Sequence, residues 1–234
     1  MSRAGSVAAL VLGAGRGERL GHALPKAFVP LAGQTLLEHS LAALAASGVF
    51  AQIVPVLAAA DFARFETLEL AGIAGLATPV AGGAERQDSM AAGLRSLPPE
   101  IEFVAVHDAA RCLVTVEDLR RVVAAARETG AALLGEPVRD TLKRVDGTRV
   151  VETPNRALYW AAQTPQVMRR DWLAAAIAEA EKAGRQATDD AQLIEWAGHE
   201  VTMVGSTGPN PKITLPVDLL LGELLLSNRR EERS

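Results

Sequence analysis

Hydrophobic positions along the chain fall into short runs that are separated by stretches of helical spacing. The apolar runs predict strands at residues 6–12, 51–57, 75–80, 102–107, 131–138 and 199–205. Apolar residues recurring every three or four positions predict helices over residues 36–48, 88–97 and 115–130. Near-continuous apolar strands alternating with helices are typical of a mostly parallel sheet that is buried on both faces. The sequence therefore predicts an α/β fold with helices on both faces of the sheet.

One segment, residues 139–166, departs from this alternation. It contains TLKRVDGTRVVET, in which two runs of alternating polar and apolar residues are joined by Asp146 and Gly147. An Asp-Gly pair between such runs is a strong signal for a β-hairpin. A charged hairpin inserted into a compact α/β domain should project from it. Two interpretations are open: a surface excursion, or an arm that docks on another subunit and contributes residues to its site.

Length and composition limit the class of protein. A chain of 234 residues favours a single domain over residues 1–234. A net charge of −4 lacks the basic excess of nucleic-acid-binding proteins, and a lone cysteine, Cys112, suits a reducing compartment. The apolar segment before Gly13 is far shorter than the roughly 20 residues of a membrane span, and too short for a signal peptide. We therefore expect a cytoplasmic protein with neither nucleic acid nor membrane as a partner.

The first predicted strand runs into a glycine-rich loop, LVLGAGRGERLGHALPKAF at residues 10–28, whose glycines are Gly13, Gly15 and Gly17. Glycines let a ligand approach backbone N–H groups closely, and α/β folds bind ligands at the carboxyl ends of parallel strands. The loop lacks the third glycine of the dinucleotide fingerprint and the GK[ST] of the phosphate loop. Positive side chains, Arg16, Arg19 and Lys26, surround the turn. This combination indicates a cradle for a polyphosphate.

Five stretches in a fixed order carry a family resemblance: GAGRGERLG…LPKAF, GGAERQDSMAAGL, VHDAARCLV, PVRDTLKR and TDDAQLIEWAG. Together they resemble the 2-C-methyl-D-erythritol 4-phosphate cytidylyltransferase family over essentially the whole chain. The resemblance implies a Rossmann-like nucleotide-diphospho-sugar transferase fold with a projecting β-hairpin arm. It also implies transfer of CMP from CTP to methylerythritol phosphate, with release of pyrophosphate, in non-mevalonate isoprenoid biosynthesis.

The implied reaction is attack by a phosphate oxygen of one substrate on the α-phosphorus of CTP. The nucleophile is already an anion near neutral pH, so the reaction needs no general base. The protein must instead align two mutually repelling anions and stabilise charge in an in-line transition state. Positive side chains are therefore the residues to find, and the resemblance implies Mg²⁺ or another divalent cation as cofactor.

The resemblance also implies roles for individual residues. Arg19 and Lys26 would stabilise the transition state, and Arg156 and Lys212 would position the substrate phosphate. The nucleotide would contact Gly13, Ala14, Gly15, Gly17, Gly82, Gly83, Ser89, Asp108 and Ala109. The second substrate would contact Arg111, Thr141, Arg156, Thr164 and Lys212. Asp108 would hold the metal ion. The arm, at about residues 139–160, would form a homodimer in which Arg156 serves the partner's active site.

The chain departs from the family pattern at three positions. Ala84 stands where many relatives carry an acidic residue, Cys112 where the family usually has proline, and Pro211 where the family usually has isoleucine before the lysine. The residues also leave open whether Arg86 begins a helix or lines the pocket.

Three alternative functions are open: a ribitol-5-phosphate cytidylyltransferase, a non-catalytic Rossmann-type dinucleotide-binding module, and a degenerate relative without activity. A hexose-1-phosphate nucleotidyltransferase fits the HDAAR and RDTLKR stretches less well.

Overall fold

The structure, a computed structural model, describes residues 6–15 and 17–231. Arg16, which the sequence places among the positive side chains of the glycine-rich loop, lies outside the described residues, as do both chain ends.

Strands and helices alternate along the described chain. The strands are β1 Ser6–Leu12, β2 Pro30–Leu31, β3 Gln34–Thr35, β4 Gln52–Leu57, β5 Val80–Ala81, β6 Ile101–Asp108, β7 Ala131–Pro137, β8 Arg144–Asp146, β9 Arg149–Glu152, β10 Trp160–Arg169 and β11 Thr202–Gly205. The helices are α1 Leu36–Ser47, α2 Phe62–Phe65, α3 Arg86–Ser96, α4 Val116–Thr129, α5 Arg170–Lys182, α6 Asp190–Trp196 and α7 Pro216–Glu231. Within the described ranges, we find no helix with the length and apolar character needed to cross a membrane.

A seven-stranded sheet with the order β11-β7-β10-β6-β1-β4-β5 forms the centre of the described fold. Every neighbouring pair is parallel except the two pairs that involve β10. Successive residues of β1 point to opposite faces. Val11 therefore joins the core with Leu41 of α1 and Val122 of α4, whereas Leu10 joins the opposite core with Met90 of α3. The prediction of a mostly parallel sheet covered on both faces is confirmed.

Two strand predictions differ from the structure. Of residues 75–80, Leu76 makes only an isolated bridge with Ile53, and the edge strand β5 begins at Val80. The segment after the hairpin, which the sequence leaves without a strand, returns as β10 and pairs antiparallel between β6 and β7. The middle of β10 carries the buried polar residues Gln163 and Gln166. Their side chains bond to neighbouring loops, so no apolar run marks the strand.

The predicted hairpin is confirmed. Strands β8 and β9 pair only with each other, and Gly147 makes the turn with a φ of 60°. The Arg144 guanidinium donates to Glu152 across the pair at 2.7 Å. The side chains of Val145 and Val150 are 53% and 56% exposed. The hairpin therefore projects from the sheet and leaves its apolar side chains uncovered by its own chain.

Side-chain capping positions α4 and ties it to a loop near the end of the chain. The Thr115 hydroxyl accepts from the Asp118 N–H at 3.0 Å, as the spacing predicts. The Asp118 carboxylate does not complete a capping box with Thr115; it accepts from the Thr207 N–H at 2.9 Å. Asp118 thereby holds the start of the segment that leads to Lys212.

Candidate active site

A cavity of about 280 Å³ opens at the carboxyl ends of β1 and β6. It is formed by the loop after β1, the start of α3, the end of β6 and the segment before α7. The lining includes nine of the predicted site residues: Gly13, Ala14, Gly15, Lys26, Gly83, Ser89, Asp108, Ala109 and Lys212. Residues distant in the chain are therefore brought to one place by the sheet, as expected for the carboxyl ends of parallel strands.

Lys26 is aimed at the cavity by a short turn. Pro25 precedes a 3-10 turn, Lys26–Phe28, and the buried side chains of Ala27 and Phe28 anchor it to the core. Gly17 adopts a left-handed φ of 66°, and a Cβ atom there would lie 2.4 Å from the Cβ atom of Lys26. Gly17 thus makes room for the lysine stem; it does not itself line the cavity.

Positive charge accumulates around Lys26. Burial, together with the nearby cations Lys212 and Arg19, lowers the pKa of Lys26 to about 8, and Asp108 opposes them. A lysine held in this way has too little negative charge near it. An anion that enters the cavity would relieve both the burial and the repulsion.

Asp108 balances part of this charge. It ends β6, and its backbone N–H donates to the Thr164 hydroxyl at 3.0 Å. One carboxylate oxygen accepts from Lys212 Nζ at 2.7 Å, and the other accepts from Arg86 Nη1. Burial alone raises the pKa of Asp108, but the Arg86 and Lys212 cations outweigh burial and hold that pKa well below its usual range. Asp108 is therefore ionised at neutral pH.

Arg86 both begins α3 and lines the cavity, so the two possibilities left open by the sequence hold together. Its guanidinium also pairs with Asp190 at the start of α6. The TDDAQ stretch, which contains Asp190, contributes to the family resemblance, but the sequence suggests no role for it. Asp190 is the residue that sequence reasoning missed, and only its place in that motif marked it.

Packing within the chain accounts for the paired glycines before α3. A Cβ atom at Gly82 would lie 2.7 Å from Ser89 Oγ, and one at Gly83 would lie 2.2 Å from Asp88 Cβ. The Gly83 N–H donates to Ser89 Oγ at 3.1 Å. Ser89 therefore keeps its hydroxyl proton for another acceptor. The Gly13 N–H, by contrast, donates to the Val56 carbonyl at 2.8 Å and is taken up by the sheet.

The structure does not bring every predicted residue into the cavity. Arg19 is exposed on the turn Glu18–Leu20. Arg111 donates to the carbonyls of Asn210 and Ala162, at 2.8 and 3.3 Å, and so supports the backbone behind the cavity. The predicted residues that do not line the cavity are Gly17, Arg19, Gly82, Arg111, Thr141, Arg156 and Thr164.

Two of these residues belong to the arm. Thr141 is exposed, and Arg156 begins a short turn and donates to the Arg139 carbonyl. Arg156 lines a separate, open cleft of about 810 Å³ beside Pro209 and Pro211. The arm therefore does not deliver these side chains to the cavity of its own chain.

The cavity offers cations rather than a nucleophile. Burial lowers the pKa of His107 to about 4, and its Nδ1 lies 3.2 Å from the Thr164 hydroxyl, so the imidazole is neutral and structural. Burial raises the pKa of the Cys112 thiol to about 12, which keeps it protonated. Across residues 6–15 and 17–231, no group of three or more His, Cys, Asp and Glu side chains is placed to hold a metal ion.

Comparison with known proteins points to one family. The sequence model of the 2-C-methyl-D-erythritol 4-phosphate cytidylyltransferase family matches residues 7–228. A protein of that name from Alkaliphilus metalliredigens is 38% identical over 234 residues, which cover 99% of this chain and 97% of that protein. Another of that name from Pelotomaculum thermopropionicum is 41% identical over 228 residues, covering 96% and 95%.

Solved structures share the fold. The 2-C-methyl-D-erythritol 4-phosphate cytidylyltransferase of Thermus thermophilus superposes with a TM-score of 0.77 at 34% identity, covering 95% of this chain and 99% of that one. The 4-diphosphocytidyl-2C-methyl-D-erythritol synthase of Anaerococcus prevotii superposes with a TM-score of 0.85 at 25% identity, covering 96% and 99%. The architecture described above is thus the one found in these enzymes.

Proposed function

Because the chain belongs to the 2-C-methyl-D-erythritol 4-phosphate cytidylyltransferase family, we propose that its cationic cavity binds the triphosphate of CTP. The chain is a nucleotidyltransferase that transfers CMP from CTP to 2-C-methyl-D-erythritol 4-phosphate in non-mevalonate isoprenoid biosynthesis. One observation carries the site assignment: Lys26, Lys212 and Arg86 line the same cavity as the glycine-rich loop at the end of β1.

The chemistry requires positioning and charge. A phosphate oxygen of methylerythritol phosphate attacks the α-phosphorus of CTP, forming a new P–O bond. The bond from that phosphorus to the bridging oxygen of pyrophosphate breaks, and the electron pair leaves with pyrophosphate. The acceptor is already an anion, so the reaction needs no general base from the cavity residues.

Lys26 and Lys212 are the cations best placed to act on the transition state. Both line the cavity, and the charge of Lys212 disfavours protonation of Lys26 until an anion arrives. Such preorganised donors stabilise developing negative charge without rearrangement during the reaction. Arg19 stands outside the cavity, but its charge acts on Lys26. We propose that Arg19 closes on the triphosphate when CTP binds.

Magnesium is the proposed cofactor. Mg²⁺ is commonly held by one or two carboxylates together with substrate phosphates. Asp108, buried, ionised and lining the cavity, fits this requirement as the carboxylate that would hold the ion. The ion would enter with CTP and supply neutralisation of phosphate charge. The lone, buried Cys112 and the use of CTP support a cytoplasmic location for the reaction.

A homodimer through the arm is proposed for two reasons. The arm exposes apolar side chains that its own chain does not cover: Val145, Val150 and, at 78%, Leu158. The neighbouring helix α7 exposes Leu220 and Leu224 as well. Moreover, the predicted substrate residues Thr141 and Arg156 do not line their own chain's cavity. A second copy would cover the apolar surface and receive these side chains in its active site.

The direct test is a pyrophosphate-release screen with four nucleoside triphosphates and a panel of polyol phosphates, with Mg²⁺ or with EDTA. We expect turnover with CTP and methylerythritol phosphate that depends on Mg²⁺. Faster turnover with ribitol 5-phosphate would identify ribitol 5-phosphate as the acceptor in place of methylerythritol phosphate. Preference for another nucleotide would contradict the CTP assignment, and pyrophosphate release unaffected by EDTA would contradict the requirement for a metal ion.

A further inference from the structure

One guanidinium joins two buried carboxylates beside the cavity. Arg86 donates through Nε and Nη2 to the two oxygens of Asp190, at 3.2 and 2.7 Å, and through Nη1 to Asp108. The other oxygen of Asp108 accepts from Lys212. Asp190, Arg86, Asp108 and Lys212 therefore form a row of alternating charge that ends inside the cavity.

The placement of Arg86 is unfavourable for α3 by itself. A cation in the first turn of a helix meets the positive end of the helix dipole. Two carboxylates outweigh this repulsion, yet the Arg86 side chain, which lines the cavity, is still 31% exposed, whereas Asp190 is 2% exposed. Asp190 lies behind Arg86 and does not line the cavity. Arg86 is therefore the contact through which Asp190 reaches the cavity.

The geometry also shows what Asp190 prevents. A guanidinium is a planar fork that can grip both oxygens of one carboxylate. Asp190 takes the Nε–H and one Nη2–H of Arg86 and so fixes the direction of the fork, and of the remaining donors Nη1 is the one that bonds to Asp108. The remaining oxygen of Asp108 accepts from Lys212 at 2.7 Å and lies 3.9 Å from Arg111 Nε. Without Asp190, Arg86 would be free to grip both oxygens of Asp108 and displace Lys212.

We propose that Arg86 is a positioning residue for nucleotidyl transfer, and that Asp190 sets its orientation so that Asp108 and Lys212 keep their geometry. The proposal rests on the proposed function, because it takes the cavity to be the CTP site. Arg86 acts through Asp108 and Lys212, and Asp190 acts through Arg86.

A double-mutant cycle tests this order of action. Arg86→Gln and Asp190→Asn should each lower kcat by about 10–100-fold, the usual effect of removing a residue that orients a functional group. In the Arg86→Gln background, Asp190→Asn should change kcat by less than about twofold, because the residue it acts through is gone. Equal losses in both backgrounds, or wild-type kcat in Asp190→Asn, would overturn the proposal.

The chain offers a matched control. Arg169 grips Asp171 through Nε and Nη2 at 2.9 and 2.6 Å, the same fork geometry, away from the cavity. Arg169→Gln and Asp171→Asn should leave kcat unchanged. If Asp190→Asn does not fold, Arg86→Lys is the replacement variant. One ammonium group cannot span both carboxylates, so kcat should fall about tenfold, while the Kd for CTP should stay within about threefold of the wild-type value. A native kcat would contradict the proposal.

A crystal structure of Asp190→Asn gives a readout that does not need turnover. We expect Arg86 on both oxygens of Asp108, and Lys212 Nζ displaced beyond about 4 Å, compared with 2.7 Å in the native chain. An unchanged Lys212–Asp108 pair would overturn the inference. Failure of the proposed function would be seen in a different measurement, because the wild-type protein would then release no pyrophosphate from CTP and polyol phosphates. The Lys212–Asp108 distance in the Asp190→Asn crystal structure would still decide the role of Arg86.

Discussion

Lys26 tests whether the cavity acts through positive charge. Its pKa of about 8 in the nucleotide-free protein means that about 90% of the lysine is protonated at pH 7 and about 10% at pH 9. Because kcat/KM reports the free enzyme, we expect kcat/KM for CTP to decline on the alkaline side with an apparent pKa near 8. A bound triphosphate raises the pKa of Lys26, so the corresponding decline in kcat should occur at higher pH.

Two variants separate charge from packing. Lys26→Met keeps an aliphatic stem against Gly17 and removes the charge; it should lower kcat by about 10²–10³-fold, equivalent to about 2.7–4 kcal/mol of transition-state stabilisation. Lys26→Arg stays protonated throughout and should abolish the alkaline decline while keeping part of the activity. Lys182→Met, which removes an exposed lysine paired with Glu179, is the control.

The assay is pyrophosphate release from pH 6 to pH 10, with CTP varied at each pH. Retention of kcat within about threefold in Lys26→Met would refute the role of the Lys26 charge in catalysis. An alkaline decline near pH 8 that persists in Lys26→Arg would assign that titration to another group.

The remaining predictions concern backbone, assembly and stability. Gly17→Ala should lower kcat/KM and the melting temperature more than Gly21→Ala. Both glycines have left-handed φ values of 66–67°, but only the methyl group of an alanine at position 17 would meet Lys26. Equal effects of the two substitutions would contradict this. Arg156→Ala and Lys26→Met subunits, each inactive alone, should recover roughly a quarter of wild-type activity when they are mixed. Half of the dimers are then heterodimers, and each heterodimer carries one intact site out of two. No recovery of activity in demonstrated heterodimers would contradict a shared site. Without nucleotide, Lys26→Met should melt higher than wild type at pH 7, because the pKa of Lys26 falls from 10.5 to about 8 on folding and burying the charged lysine therefore destabilises the fold. This cost is complete below pH 8 and declines as the pH rises from about 8 to 10.5, although solvent screening reduces its size. A lower midpoint for Lys26→Met at pH 7 contradicts this.

The fold was predictable where one local rule dominates. β1 and α1 match their predicted bounds because a buried apolar run and a helical repeat ending at Gly48 have few alternative structures. The hairpin was predictable from Asp146-Gly147 for the same reason. β10 was not, because its central residues are polar and buried. Their hydrogen-bond partners lie on other elements, so the pattern of the strand does not reveal its burial.

The candidate site divides in the same way. Residues in recognisable loops and motifs, such as Gly15 and Lys26, were assigned from sequence, and the structure brings them to one cavity. The two aspartates of TDDAQ look equivalent in the sequence. In the structure, Asp189 caps α6 by accepting from the Gln192 N–H, whereas Asp190 turns toward Arg86.

The sequence by itself determined the alternation of strands and helices, the glycine loop with its cations, and the motifs of the family, because these depend on residues close together in the chain. Only the tertiary structure decided which charges meet. Arg86 and Asp190 are 104 residues apart, and their pairing depends on how α3 packs on β1 and β4 and how α6 packs on β7. The tertiary structure likewise separated Arg156 from Lys26, since the arm extends away from the sheet that holds the cavity.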